Sequence, residues 1–257
     1  MIPLLKILLT NDDSLDSPLF LFAVDYFQVM GDVKAVVPAE EQSWKGKAMT
    51  RFGTRHVERL DGFACETYAF SGTPADCANF GIYHLFDGGK PDLVISGINM
   101  GSNSGLSFTL SSGTVGAALE ANIAGLPGVA LSQVLPRHVF RQWVEQRAMQ
   151  PDVREPLLKK CRAMLHRVFA FLNDRTDFLS DPVTWNVNMP AELSDDWRVI
   201  PTVLGHTFYT SCFEASEDGY YHNIDQPEVE ERAGTDGMVL RAGHVSITRL
   251  DIRTLGQ

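Results

Sequence analysis

Short, largely apolar runs recur along the chain at Leu5 to Thr10, Lys34 to Val37, Thr67 to Phe70, Leu93 to Ser96 and Gly128 to Ser132, each closed by a polar or glycine-rich turn. Runs of this length with little alternation belong to strands covered on both faces. Between several of them the apolar positions switch to helical spacing, over Leu19 to Val29, Ala75 to Leu85 and Val115 to Ala124. Strands and helices in alternation predict an α/β fold of Rossmann-like type, with a mostly parallel sheet and helices on both faces. Glu155 to Arg175 gathers Leu158, Cys161, Leu165, Val168 and Leu172 on one face, against Lys159, Lys160 and Arg162, and predicts an amphipathic helix. The preceding Pro136 to Pro156 is polar and charged and reads as an exposed excursion.

From Trp185 the pattern returns to strands. His206 to Glu214, a turn around Glu217, Asp218 and Gly219, and Tyr220 to His222 predict a protruding β-hairpin. A charged stretch, Glu228, Glu230, Glu231 and Arg232, precedes a last strand at Val245 to Thr248. The expected organisation is a catalytic core over 1–180, with 181–257 adding the hairpin and completing the same domain.

The balance of 32 acidic to 22 basic residues, a formal charge of -10, opposes non-specific binding to nucleic acid or anionic membranes. An anionic substrate would need a local cation. Cys65, Cys77, Cys161 and Cys212 are widely separated, which argues against a zinc knuckle or a disulfide framework. The opening MIPLLKILLTNDD reads as a buried strand rather than a signal peptide, and no stretch reaches the ~18 apolar residues of a membrane span. The expected location is the cytoplasm.

Two adjacent carboxylates, Asp12 and Asp13, follow the first strand directly. They repel one another, and a divalent cation is the simplest compensation; oxygen ligands suit Mg²⁺, Mn²⁺ or Ca²⁺. A second reading stays open, in which Asp12 caps the following helix and Asp13 is exposed. The hydroxyl of Ser43, beyond the second strand, either completes a metal shell or decorates a surface loop. The segment from Ser96 to Gly105 interleaves glycines 97, 101 and 105 with Asn99 and Asn103. Shortly after it, Ser111, Ser112, Gly113 and Thr114 open a helix whose N–H groups and hydroxyls suit a phosphate, or else cap the helix in the ordinary way. Ser71 to Asp76 is accounted for by capping. There is no H-E-x-x-H, no G-x-S-x-G elbow and no Walker lysine, which removes zinc hydrolases, serine hydrolases and P-loop enzymes from consideration.

Taken together, I-L-L-T-N-D-D at 7–13, V-V-P with Ser43 five residues after Pro38, S-G-T-P-A-D-C at 71–77, P-D-L-V-I-S-G-I-N at 91–99, S-G-T-V-G-A-A at 112–118, and G-T-D with G-x-V-S-I-T over 234–248 closely resemble the SurE survival-protein family of 5'-nucleotidases. The resemblance covers almost the whole chain, apart from about 136–180. It implies a metal-dependent hydrolysis of nucleoside monophosphates, with 3'-nucleotidase and exopolyphosphatase side activities. It also implies one divalent metal per subunit (Mg or Mn, with Ca possible in a crystal) and homodimers or homotetramers linked through exchanged C-terminal elements. Carried over residue by residue, Asp12, Asp13, Ser43 and Asn99 would ligate the metal, while Asn99, Asn103, Ser112, Gly113 and Thr114 would line the substrate phosphate. Asp12, Asp13 and Asn103 would be catalytic, through in-line attack of a metal-bound water; a covalent aspartyl-phosphate is the rival. A non-catalytic metal- or nucleotide-binding relative is the alternative function. Three departures from the family pattern stand out: Ser14 after the aspartate pair, Leu19 and Phe20 after Pro18, and Ser111 where an aromatic commonly precedes the S-G-T-V turn.

Overall fold

The computed structural model describes residues 4–13, 15–223 and 230–256; Ser14 and Glu228, singled out above, lie outside them. Six parallel strands make the body of the sheet: β1 (Leu5–Thr10), β2 (Gly31–Pro38), β4 (Glu66–Phe70), β5 (Leu93–Met100), β6 (Gly128–Gln133) and β7 (Thr184–Met189). Their spatial order is β4-β2-β1-β5-β6-β7, the doubly wound order in which the winding reverses beside β1. One edge gains β3 (Val57–Leu60), antiparallel to β4; the other gains β11 (Val245–Leu250), antiparallel to β7, and β8 (Val199–Thr202), parallel to β11. The predicted fold class is therefore the observed one, and the last third of the chain contributes strands to the same nine-stranded sheet.

Alternating side chains within each strand feed two apolar layers. Ile7, Leu9, Ala35 and Ile95 pack beneath α1 (Pro18–Phe27) and α6 (Pro151–Asn173). Leu8, Val36 and Val94 face the opposite layer, where α2 (Pro74–His84) and α4 (Gly113–Ile123) contribute Cys77, Ile82 and Ala121. Each fully buried aliphatic side chain of this kind stabilises the fold by about 1.5–3 kcal/mol. Leu19 and Phe20, which depart from the family pattern, are fully buried in the first layer.

Local chemistry sets the helix starts. Ser17 accepts from the Phe20 N–H and caps α1, with Pro18 at its first position. Thr73 and Asp76 form a reciprocal capping box on α2, as the S-G-T-P turn predicts. The hairpin consists of β9 (Phe213–Ser216) and β10 (Gly219–His222) alone; His206 to Cys212, read as part of it, is irregular. The expected excursion at 136–156 is a correction: it holds α5 (Arg137–Gln146) and the start of α6. Val139 and Trp143 of α5 are buried in the core, so its charges are only the outer face of an amphipathic helix. Two further short helices, α3 (Leu106–Ser111) and α7 (Asp236–Arg241), carry too few periodic positions to be read from sequence.

Candidate active site

At the carboxyl ends of β1, β2 and β5, where the winding reverses, the chain encloses a cavity of about 230 Å³. Asp12 and Asp13 line it from the end of β1, Ser43 from the loop after β2, Asn99 from β5, Asn103 from the glycine-rich loop and Ser112 from the start of α4. Gly113 and Thr114 are buried behind this wall. Six of the eight residues expected at the site thus reach one cavity, and the other two support it.

The two aspartates are 3% and 7% exposed. Neither is a cap of the following helix, which Ser17 caps. Asp12 instead receives both groups of Thr114, the hydroxyl at 2.6 Å on Oδ1 and the N–H at 3.1 Å on Oδ2. Thr114 therefore spends its donors on Asp12 and holds that carboxylate against the first turn of α4, whose dipole favours it. Asp13 Oδ2 accepts the Met100 N–H at 2.7 Å. Burial pushes the Asp12 carboxyl up from 3.8 to about 6, against the Thr114 hydrogen bonds that pull it down. Burial, then the charge of Asp12, pushes Asp13 well above the usual carboxylate range.

The loop carrying Asn103 is fastened from below. Its N–H donates to Asn188 Oδ1 (2.8 Å), its carbonyl accepts from Asn186 Nδ2 (2.9 Å), and its amide Nδ2 donates to Ser132 Oγ (2.8 Å). Asp236 of the G-T-D motif ties Gly105 N–H (2.7 Å) and Gly205 N–H (2.9 Å) to the start of α7. Gly97 enables the bend in β5 before Asn99: its φ is +125° and a Cβ there would meet the Leu131 carbonyl oxygen at 2.3 Å. Gly116 serves another purpose, because a Cβ on it would strike the Gly46 carbonyl oxygen at 2.2 Å, so the loop bearing Ser43 rests directly on α4.

Several lining residues escape a sequence reading, among them Glu41, Trp44, Phe108 and Arg147. Glu41 accepts from the Ser43 hydroxyl (2.9 Å) and pairs with Arg147. Its negative charge raises both aspartates further, while Arg147 lowers Asp13. Arg147 is the one cation among the described residues lining the cavity. The apolar spacing of Val139, Phe140, Trp143 and Val144 was the available signal for the helix that delivers it.

The donor set fits a hard divalent cation. Two buried, mutually repelling carboxylates are accompanied by the neutral oxygens of Ser43 and Asn99, and no third His, Cys, Asp or Glu joins them in a metal-binding group among the described residues.

An open, mostly parallel α/β sheet with an acidic, oxygen-rich cleft at its switch point defines a Rossmann-like ligand-binding protein. The family model for "Survival protein SurE" matches residues 7–211, and the chain belongs to that family. Among curated relatives, "5'-nucleotidase SurE" of Methanocella arvoryzae is 32% identical over 98% of this chain and 94% of its own length. The protein of the same name from Brevibacillus brevis is 33% identical over 96% and 91%, and that from Methanopyrus kandleri 33% over 98% and 93%. The crystal structure of SurE from Aquifex aeolicus superposes with a TM-score of 0.69 at 27% identity, covering 96% of this chain and 94% of that one.

Proposed function

We propose that this chain hydrolyses nucleoside 5'-monophosphates to nucleoside and phosphate in the cavity at the switch point, and accepts 3'-monophosphates and short polyphosphate as secondary substrates. The observation that carries the reading is the pair of adjacent, buried carboxylates facing that cavity with raised proton affinity. Asp12, Asp13, Ser43 and Asn99 would hold one divalent cation, magnesium or manganese by the hardness of the donors. When bound, such a cation acts as a Lewis acid and lowers the pKa of a coordinated water.

The chain's own residues do the rest. Thr114 fixes Asp12 and the Met100 N–H fixes Asp13, so each carboxylate keeps its remaining acceptor capacity for a water proton or a cation. Asn103, fastened on three sides, presents the remaining capacity of its amide to phosphoryl oxygens, where a preorganised donor offsets developing charge. Ser112 lines the same wall at the N-terminus of α4. Gly113 and Thr114 act behind it rather than on phosphate.

The segment 181–257 completes a single domain with the core 1–180, supported by its three strands in the common sheet and by the Asp236 bond to Gly105. A homodimer or homotetramer is supported by the exposed Phe208, Phe213 and Tyr220 around the hairpin. A cytoplasmic location accords with the free cysteines and with the absence, among the described residues, of any helix long and apolar enough to cross a membrane.

Release of phosphate from AMP and p-nitrophenyl phosphate, measured with Mn²⁺ and with EDTA, tests the activity. Metal-dependent turnover is expected; folded protein that binds AMP and releases no phosphate would be the non-catalytic relative instead.

A further inference from the structure

Among the described residues, two that are not glycine have positive φ: Trp44 at 62° and Arg147 at 49°. Both line the candidate cavity, although they lie on unrelated elements. A left-handed backbone favours glycine or asparagine, and a bulky residue persists there only when its side chain is wanted. Arg147 occupies the residue after α5, a place where glycine or asparagine would satisfy the backbone best.

Each side chain supplies something the cavity otherwise lacks. Asp12, Asp13 and Glu41 make the wall acidic within a chain of net charge -10, so a phosphate dianion meets repulsion that Arg147 alone among the described lining residues counters. Its guanidinium, partnered with Glu41 and still partly exposed, offers the planar fork that suits phosphate oxygens. Trp44 provides an aromatic surface. Its indole is held edge-on by Phe108 (5.8 Å), Tyr209 (5.3 Å) and His222 (5.0 Å), yet is 39% exposed. Ser111, standing where the family commonly has an aromatic, lines the same cavity and leaves that surface to Trp44.

We propose that Trp44 and Arg147 are the specificity-determining pair of this site, the indole face receiving the base of the nucleotide and the guanidinium its phosphate. The inference deepens the hydrolase reading and rests on it for the substrate class. The base is selected by stacking, which tolerates any aromatic ring, so the pair predicts broad base acceptance and poor use of phosphates that lack one.

The test is calorimetric binding to the Mn²⁺-loaded protein, with inorganic phosphate and the hydrolysis-resistant phosphonate analogues of ribose 5-phosphate and AMP, named below by their parent compounds, as probes, so that neither turnover nor its failure confuses it. Trp44→Gly and Arg147→Asn suit the left-handed backbone at their positions, which offsets part of the ring packing and ion pair they remove, and both are expected to keep a cooperative unfolding transition and an unchanged far-UV spectrum. Arg147→Asn should weaken all three probes by about tenfold or more, and Arg147→Lys should recover part of that loss. Trp44→Gly should weaken AMP by about fivefold or more while leaving ribose 5-phosphate within about twofold. A loss shared equally by AMP and ribose 5-phosphate in Trp44→Gly would reduce Trp44 to a packing residue and overturn the proposal. So would phosphate affinity unchanged in Arg147→Asn, or wild-type protein that binds none of the probes. Protein that binds the probes in this pattern and does not hydrolyse AMP itself would uphold the pair and sink the hydrolase reading alone.

Discussion

Asp12→Asn should remove metal-dependent turnover while making the metal-free protein more stable. At neutral pH the wild-type carboxylate is ionised in a site that raises its pKa from 3.8 to about 6, a cost of about 3 kcal/mol to the folded state. The amide carries no charge and removes that cost, and it also relieves Asp13, which the Asp12 charge pushes upward. Against this, the asparagine oxygen keeps one of the two Thr114 hydrogen bonds and the NH₂ group cannot accept the other, a loss of about 1–2 kcal/mol. The balance is a stabilisation of about 1–2 kcal/mol, or about 2–8 °C in Tm for a chain of this size. Mn²⁺ at a hundredfold excess over its Kd should stabilise the wild type by about 2.7 kcal/mol and the variant by far less. Thermal and urea unfolding at pH 7.5, in EDTA and in Mn²⁺, read all of these terms. A variant that is clearly less stable than wild type in EDTA would refute the burial argument; one that keeps both turnover and the Mn²⁺ response would refute the metal assignment.

Two further outcomes follow. The folded state holds the Asp12 proton up to about pH 6 while the unfolded chain releases it near 3.8, so between those values the folded state binds more protons and this group's contribution to stability falls as pH rises. In EDTA, the stability of wild type relative to Asp12→Asn should therefore drop by roughly 2.4 kcal/mol between pH 4 and pH 7, and a flat difference would show that the carboxyl is not perturbed. Asn188→Ala leaves the buried Asn103 N–H without its acceptor and should cost about 1–3 kcal/mol of stability. It should also lower kcat on p-nitrophenyl phosphate with the Mn²⁺ titration midpoint unmoved; an unchanged kcat would separate Asn103 from catalysis.

The sheet was legible because its strands are buried on both faces and so carry unbroken apolar runs, whereas β3, with three of its four residues exposed, leaves no such trace. The helix α5 was hidden by Arg137, Arg141 and Glu145, whose charges outweigh four apolar residues at helical spacing. The aspartate pair was legible because two charges at the end of an apolar strand conflict with their surroundings. The residues that support it were not, since the Asp12 to Thr114 contact joins positions 102 apart and exists only once α4 lies beside β1. Glu41 and Arg147 meet across 106 positions and follow the same logic. Thr114, expected on phosphate, donates its hydroxyl and its N–H to Asp12, a partner that residue type alone does not reveal.

The contact between Gly116 and the Gly46 carbonyl gives the cavity a spacer outside its own walls. The loop that carries Ser43 and Trp44 sits as close to α4 as a bare Cα permits, so a single methyl at position 116 would lift both residues together. Descendants of this chain could thus be re-gauged for larger or smaller substrates by a change at a position of α4 that does not itself line the cavity.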